Sequence, residues 1–326
     1  MRYAILSDVH GNLEALHAVL GDCADLADGV VCLGDTVGYG ADPLPCVELM
    51  AERAQTIVGG NHEYAVAGRL DLSWFNRYAR AAAEWTHDRL DDDHRAYLAA
   101  LPLVTEIGDA TVVHASPAQP DEWEYLVTAE DGFAAFPHFA TRWCFVGHSH
   151  VPGAWSLGSA GPEHHPGPVH LQSERDRRYI VNVGSVGQPR DRDPRAAYAL
   201  WDAEAGRVEI RRVAYDVATA RRKITEAGLP QFLAERLSAG VWARCATTSA
   251  RRRSWLVAPA CSVWRFRGPT GMAPPGSPSC RCSSSPSAPG RAWPSPGAGS
   301  TARSSSSCCS AGSTSRSARS ARSRGR

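Results

Sequence analysis

Three times within the first 63 residues a short apolar run stops abruptly in a cluster of aspartate, histidine, asparagine and glycine. Residues 3–6 run into Ser7, Asp8, His10 and Gly11, residues 30–33 into Gly34 and Asp35, and residues 56–58 into Gly59, Gly60, Asn61, His62 and Glu63. Runs this short, bounded by turn residues, predict buried strands. After the first two, the spacing becomes helical: Leu13, Leu16 and Leu20 share one face, then Leu44, Val47 and Met50, with Pro43 predicted to open the second helix. Such strand–loop–helix units lay strands parallel, so polar groups gather where strands end.

The rest of the chain continues differently. Helices are predicted over 75–90 and 91–100, the second closed by Pro102. Residues 103–107 and 110–114 read as a hairpin joined near Gly108 and Asp109, and residues 143–146 as a strand running into Gly147, His148, Ser149 and His150. Further strands are predicted over 179–183, 197–201 and 208–213, and one helical stretch over 217–239. Crossovers in the first half and hairpins in the second suit two sheets within one α/β domain better than a single doubly wound sheet.

Charge divides the 326 residues at about position 240. Residues 1–240 hold 21 basic and 34 acidic groups, a net of −13, whereas residues 241–326 hold 14 arginines and no acid, for a whole-chain charge of +1. All 12 histidines lie at or before position 170, and six of the 10 cysteines lie in the last 86 residues. The organisation expected is a folded domain over 1–240 and an Arg/Ser/Pro/Gly/Cys-rich low-complexity tail over 241–326, too polar to offset its ordering entropy. Loss of Asp, Glu, Lys and His together suggests an out-of-frame product, which the nucleotide sequence across codons 235–250 would test. The acidic 1–240 segment argues against tight nucleic-acid binding. No run of 18 apolar residues predicts a membrane span, and no secretory signal is visible. A cytoplasmic location follows, with Cys23, Cys32, Cys46 and Cys144 as reduced core residues.

Taken together, Asp8, His10, Asp35, Asn61, His114, His148 and His150 are oxygen or nitrogen donors placed where apolar runs stop. Two metals about 3.5–4 Å apart clamp the entering and leaving oxygens in phosphoryl transfer, and one carboxylate must bridge them. Asp35, alone at its strand end, is the candidate bridge. Asp8 and His10, two apart in an extended segment, point toward one metal. His148 and His150 share that spacing and serve either the same metal or one each. The cysteines lack the spacing of a structural zinc site. His87 and His94, in helical sequence, are expected to be solvated or packed, while His164 and His165 lie in a Pro/Gly-rich loop with the potential to overhang the site.

The segments SDVHGN, CLGDTVGYG, GGNHE, VVHASP and VGHSHVP, in this order and followed by NVGSVGQPRD, resemble the motif series of the calcineurin-like metallophosphoesterases, in particular the compact bacterial phosphodiesterase-like branch. The resemblance covers residues 1–240. It implies a four-layer α/β sandwich, two mixed β-sheets flanked by helices. It further implies that Asp8, His10, Asp35 and His150 hold a first metal and Asp35, Asn61, His114 and His148 a second. Manganese is favoured by the family; iron, zinc, nickel and cobalt suit the same ligands. The implied chemistry is hydrolysis of a small phosphoester or nucleotide-like substrate by a metal-bridging hydroxide, with His62 as the non-ligand catalytic group. A phosphodiesterase is the preferred reading, ahead of a phosphomonoesterase or a protein or dinucleotide-polyphosphate phosphatase; an idle scaffold and a nuclease rank lower. Where the protein and dinucleotide phosphatases carry GDxxDRG, this chain has GDTVGYG, with Gly38 and Tyr39 in place of Asp and Arg. Ala115 and Val183 are smaller departures. Glu63 is expected to cap the helix that follows it, ahead of stabilising the His62 loop, and Arg190 to meet a phosphate or to pair with Asp191 or Asp193.

Overall fold

Alternation along the first strand sends Ala4 and Leu6 to one face and Ile5 to the other, and all three are fully buried. Both faces are therefore covered. The computed structural model describes residues 1–241, and the tail expected over 241–326 lies, beyond its first residue, outside them. In chain order the elements are β1 (Arg2–Leu6), α1 (Leu13–Cys23), β2 (Gly29–Cys32), α2 (Pro43–Arg53), β3 (Ala54–Ile57), α3 (Asn61–Val66), α4 (Arg77–His87), α5 (Asp92–Ala99), β4 (Val104–Ile107), β5 (Ala110–Val113), α6 (Ala129–Ala135) and β6 (Trp143–Val146). They continue with β7 (Gly153–Gly158), β8 (Gly161–Pro166), β9 (His170–Gln172), β10 (Arg178–Asn182), β11 (Ala196–Asp202), β12 (Arg207–Val213), α7 (Val217–Glu226) and α8 (Gln231–Ala239).

Two six-stranded sheets result, ordered β3-β2-β1-β11-β12-β9 and β4-β5-β6-β10-β7-β8. Each is mixed. In the first, β1, β2 and β3 run parallel and β11, β12 and β9 continue antiparallel; in the second, β5, β6 and β10 are parallel and flanked by antiparallel β4 and the β7–β8 hairpin. Parallel and antiparallel pairing thus do not divide at the middle of the chain. The first sheet joins the beginning of the domain to its end, and the second is built from the middle.

Ile5, Val31, Leu33, Trp143, Phe145, Val181, Trp201 and Ile210 fill the space between the sheets. Leu6, Leu16, Val19, Val47 and Met50 pack α1 and α2 onto the outer face of the first sheet, while Phe136, Cys144, Val146 and Ile180 bury the outer face of the second. Four layers follow from strands buried on both faces. Local signals set the helix limits: the Asn12 side chain caps α1, Pro43 opens α2 and Asp91 caps α5.

Two expectations need correction. The single helix over 217–239 is two, because Gly228, at φ +72°, and Pro230, the N-cap of α8, break the run after Glu226. His164 and His165 are not in a loop over the site: they lie on β8, where Pro162 and Pro166 are tolerated because β8 is an edge strand. Among the described residues no helix is long and apolar enough to cross a membrane.

Candidate metal centre

Six parallel strands, three from each sheet, deliver their C-terminal ends to one place. Asp8 follows β1, Asp35 follows β2 and Asn61 follows β3, while His114 follows β5, His148 and His150 follow β6, and Arg190 follows β10. Four of these residues, and His10 in the same loop as Asp8, stand in the left-handed region: Asp8 (φ 56°), His10 (51°), Asp35 (53°), His148 (63°) and His150 (59°). Each such non-glycine residue costs about 1–3 kcal/mol, so surrounding bonds must hold the loops. They do: Asp8 N donates to Gly34 O at 3.0 Å, His10 N to Asp35 O at 2.9 Å, and Ser185 Oγ to Asp8 O at 2.9 Å. Gly147 permits the sheets to meet here, since a Cβ at that position would lie 1.9 Å from Ser7 Oγ.

The side chains form two adjoining groups. In one, His150 Nε2 lies 3.1 Å and His10 Nε2 3.6 Å from Asp8 Oδ1, and the two Nε2 atoms are 3.1 Å apart. In the other, His114 Nε2 lies 3.3 Å from Asp35 Oδ2 and 3.1 Å from His148 Nδ1. Asp35 Oδ2 is also 3.7 Å from His10 Nε2, so this one oxygen faces both groups. Asn61 lines the same cavity as Asp35, His148 and His150, and its Oδ1 is buried without a hydrogen-bond partner.

Hydrogen bonding to the far side of each ring shows what the near side offers. Nδ1 of His10, His114 and His150 lies 2.9, 2.8 and 2.7 Å from the carbonyl oxygens of Val37, Leu33 and Gln188. A carbonyl only accepts, so each Nδ1 carries a hydrogen, and the Nε2 of a neutral ring presents a lone pair inward. Lone pairs of His10 and His150 facing each other at 3.1 Å repel unless a cation or a proton sits between them. The residues therefore fit metal binding. Electrostatics agree: burial alone raises the carboxyls of Asp8 and Asp35, but His150 and His10 around the former and His114 and His62 around the latter outweigh it and hold both well below the usual range. Burial disfavours a charged His114, yet the Asp35 carboxylate prevails and pushes it up to about 9. Burial drives His62 down to about 3, so its ring is neutral.

The remaining candidates separate clearly. Glu63 does accept the Gly60 N–H at 2.8 Å as a helix cap, but the same carboxylate also accepts from Asp35, Thr36 and Val37 N–H at 2.7, 2.6 and 3.3 Å. It braces the Asp35 loop as well as its own helix. Arg190 donates to Gln188 Oε1 at 3.2 Å and lines the cavity, while Asp191 meets Arg212 and Asp193 meets Arg195. His87 is packed against the Val66 carbonyl at 2.7 Å, and His94 against Asp91.

The cavity, about 220 Å³, is walled by aromatic residues the sequence did not single out: Trp74, Phe75, Trp123 and Tyr125. Trp74 is 76 % exposed, and the Tyr125 ring stacks on His148 with centroids 4.1 Å apart. No periodicity marks these residues, because they sit on loops and a single 3₁₀ turn.

Residues 1–206 match the calcineurin-like phosphoesterase superfamily domain. The chain belongs to this superfamily. As a member it is a hydrolase of phosphoesters. This phosphoesterase is 40 % identical over 248 residues to the uncharacterized protein MJ0912 of Methanocaldococcus jannaschii, the match covering 73 % of this chain and 97 % of that one. It is similar to the crystal structure of a metallophosphoesterase from Sphaerobacter thermophilus, with 46 % identity and a TM-score of 0.65 over 74 % of this chain and 99 % of that one. The hypothetical protein PH1004 of Pyrococcus horikoshii, at 23 % identity and a TM-score of 0.61 over 74 % of this chain and 99 % of that one, shares the fold. The four-layer sandwich expected of the phosphoesterase is the one observed.

Proposed function

We propose that this phosphoesterase hydrolyses phosphodiesters at a dinuclear centre, with Asp8, His10, Asp35 and His150 holding one divalent metal and Asp35, Asn61, His114 and His148 the other. One observation carries the reading: Asp35 Oδ2 faces histidine nitrogens of both groups, His114 at 3.3 Å and His10 at 3.7 Å, as a shared carboxylate must. Mixed Asp, Asn and His donors favour manganese, iron, cobalt, nickel or zinc over calcium or magnesium, and manganese is our choice. Bound there, two divalent ions lower the pKa of a water and neutralise charge on the phosphoryl oxygens.

This chain's own residues supply the rest. Val37, Leu33 and Gln188 carbonyls orient three ligand rings, and Glu63 fixes the backbone that carries Asp35. Arg190 offers a forked guanidinium to a phosphoryl oxygen. Neutral His62, in the cavity wall, offers an N–H to the departing ester oxygen, where charge develops. Two features favour a diester over a monoester: among the described residues that line the cavity Arg190 is the one Lys or Arg, matching a single negative charge, and the aromatic wall accommodates a second organic group. The four cysteines among the described residues, buried and unpaired, accord with a reducing cytoplasm.

The test is a paired assay of the manganese-loaded full chain on bis(p-nitrophenyl) phosphate and p-nitrophenyl phosphate, with metal counted by elemental analysis. Two metals per chain and a higher kcat/KM on the diester are expected. A single metal per chain, or preference for the monoester, overturns the reading.

A further inference from the structure

Tyr39 is a bulky residue at a backbone angle that favours glycine, φ +60°. The loop around it is fastened on both sides to the loop that carries His10: Gly40 N donates to His10 O, and His10 Nδ1 to Val37 O, both at 2.9 Å. Gly40 has no room for a side chain, since a Cβ there would lie 2.3 Å from His10 O. Strain of this kind persists where the surroundings over-determine it, and it marks a position kept for what its side chain reaches.

The ring is almost wholly enclosed, at 7 % exposure. It packs against His10 and His62 with centroids 4.6 Å from each, and the guanidiniums of Arg190 and Arg236 lie 5.8 and 5.6 Å from its centroid. The hydroxyl is the part left over. Among the described residues nothing hydrogen-bonds it, yet its oxygen is not sealed in as Asn61 Oδ1 and His62 Nδ1 are. A buried tyrosine ordinarily finds a partner for its O–H. Tyr39 lines the same cavity as Asp35, Asn61, His62, His150 and Arg190, so a molecule entering that cavity is the acceptor within its reach.

We propose that the Tyr39 hydroxyl donates a hydrogen bond to a non-bridging phosphoryl oxygen of the bound ester, beside the Arg190 guanidinium. Tyr39 is then a further catalytic residue, and one that acts on specificity. A phenol adds a donor without adding a charge, so it strengthens the hold on a monoanionic diester without favouring a dianion. The proposal rests on the reading above for the identity of the ester, but not for the existence of the contact.

Two measurements test it. In the first, the manganese-loaded full chain is titrated calorimetrically with inorganic phosphate. Tyr39→Phe keeps the ring between His10 and His62 and removes only the oxygen, and it is expected to weaken binding on the order of 10-fold. Equal binding by parent and variant overturns the proposal. A loss of that size supports it even where a diester proves not to be the preferred substrate, so the failure of one reading is told apart from the failure of the other. In the second, methyl p-nitrophenyl phosphate and methyl phenyl phosphate are compared as substrates. A bond to a non-bridging oxygen leaves the departing oxygen untouched, so kcat/KM should fall by a similar factor on both, on the order of 10-fold or more. A loss confined to the phenyl ester, the poorer leaving group, would make Tyr39 the proton donor to the departing oxygen and overturns the assignment. Metal content and melting temperature separate this from a structural role. Both should match the parent, because Tyr39→Phe breaks no hydrogen bond among the described residues. Lost metal, or a variant that does not fold, would place the hydroxyl's work within the protein and overturns the proposal.

Discussion

Gly38 lies so close to His62 that a Cβ on the glycine would sit 2.2 Å from the ring's Nδ1. The glycine is also at φ +86°, a region that penalises any other residue. His62 is thus held by shape, between Gly38, Tyr39 and Phe75, with no hydrogen-bond partner at Nδ1. Gly38→Ala should push the ring from its place and lower kcat on a diester by on the order of 10²-fold, while elemental analysis still finds the parent metal content. His62→Asn should do the same. Its grouping with His10 and Asp35 gives the contrary outcome a clear form: metal lost in His62→Asn would make it a ligand.

Glu63 acts at one remove. Its fully buried carboxylate gathers four backbone N–H groups, two of them from Asp35 and Thr36. In Glu63→Ala each orphaned donor costs about 1–3 kcal/mol, and the Asp35 loop loses its anchor. Chemical denaturation should show a loss of several kcal/mol by that reckoning, and manganese titration an affinity about 10–100-fold weaker. Unaltered metal affinity in a folded variant would return Glu63 to a helix cap alone.

Much of this was legible in the chain, for a physical reason. Buried strands must be apolar and their ends must turn, so Asp8, Asp35, Asn61, His114 and His148 announced themselves where apolar runs stopped. Proximity between strands is a different matter. Nothing local shows that β10 pairs with β6 and β7, or that β11 joins β1, because these partners are set by packing across the whole domain. The β7–β8 hairpin was missed because its second strand, GPEHHP, has loop composition and sits at an edge. Glu63 was visible as a cap or a support of its own His62 loop but not as a brace of the Asp35 loop, since its partners Asp35 and Thr36 are remote in sequence. Arg236 gave no signal at all: a charged residue in a helix reads as solvated until the tertiary structure buries it.

Asp35→Asn tests the shared ligand directly. The amide keeps the size of the side chain and an oxygen for the His62 N–H, now accepted by Oδ1 at 2.9 Å, but removes the charge that faces both histidine groups. Metal content should fall below two per chain and diester hydrolysis by on the order of 10³-fold, if the centre supplies the greater part of the several kcal/mol that metal catalysis contributes. Two metals retained with parent activity would mean that the groups are not bridged.

Acid sensitivity should appear far from the centre, at Asp22. This carboxylate of α1 accepts from Tyr198 Oη of β11 at 2.6 Å and from Arg211 Nε of β12 at 3.0 Å, tying the helix layer to the first sheet. Burial by itself raises its pKa, but the Arg211 and Tyr198 hydrogen bonds outweigh it and hold the carboxyl below its ordinary value. A carboxyl depressed on folding stabilises above its unfolded pKa of about 3.9, and that contribution drains away as pH falls through the folded value. Because both partners are partly exposed, screening limits the effect to about 1 kcal/mol. Urea unfolding of the parent and Asp22→Asn should therefore differ most near neutrality and converge in acid. Comparing the difference at the two pH values cancels the other carboxylates that titrate in the same range. A gap that stays constant down to pH about 3 would place the cost in lost packing rather than in charge.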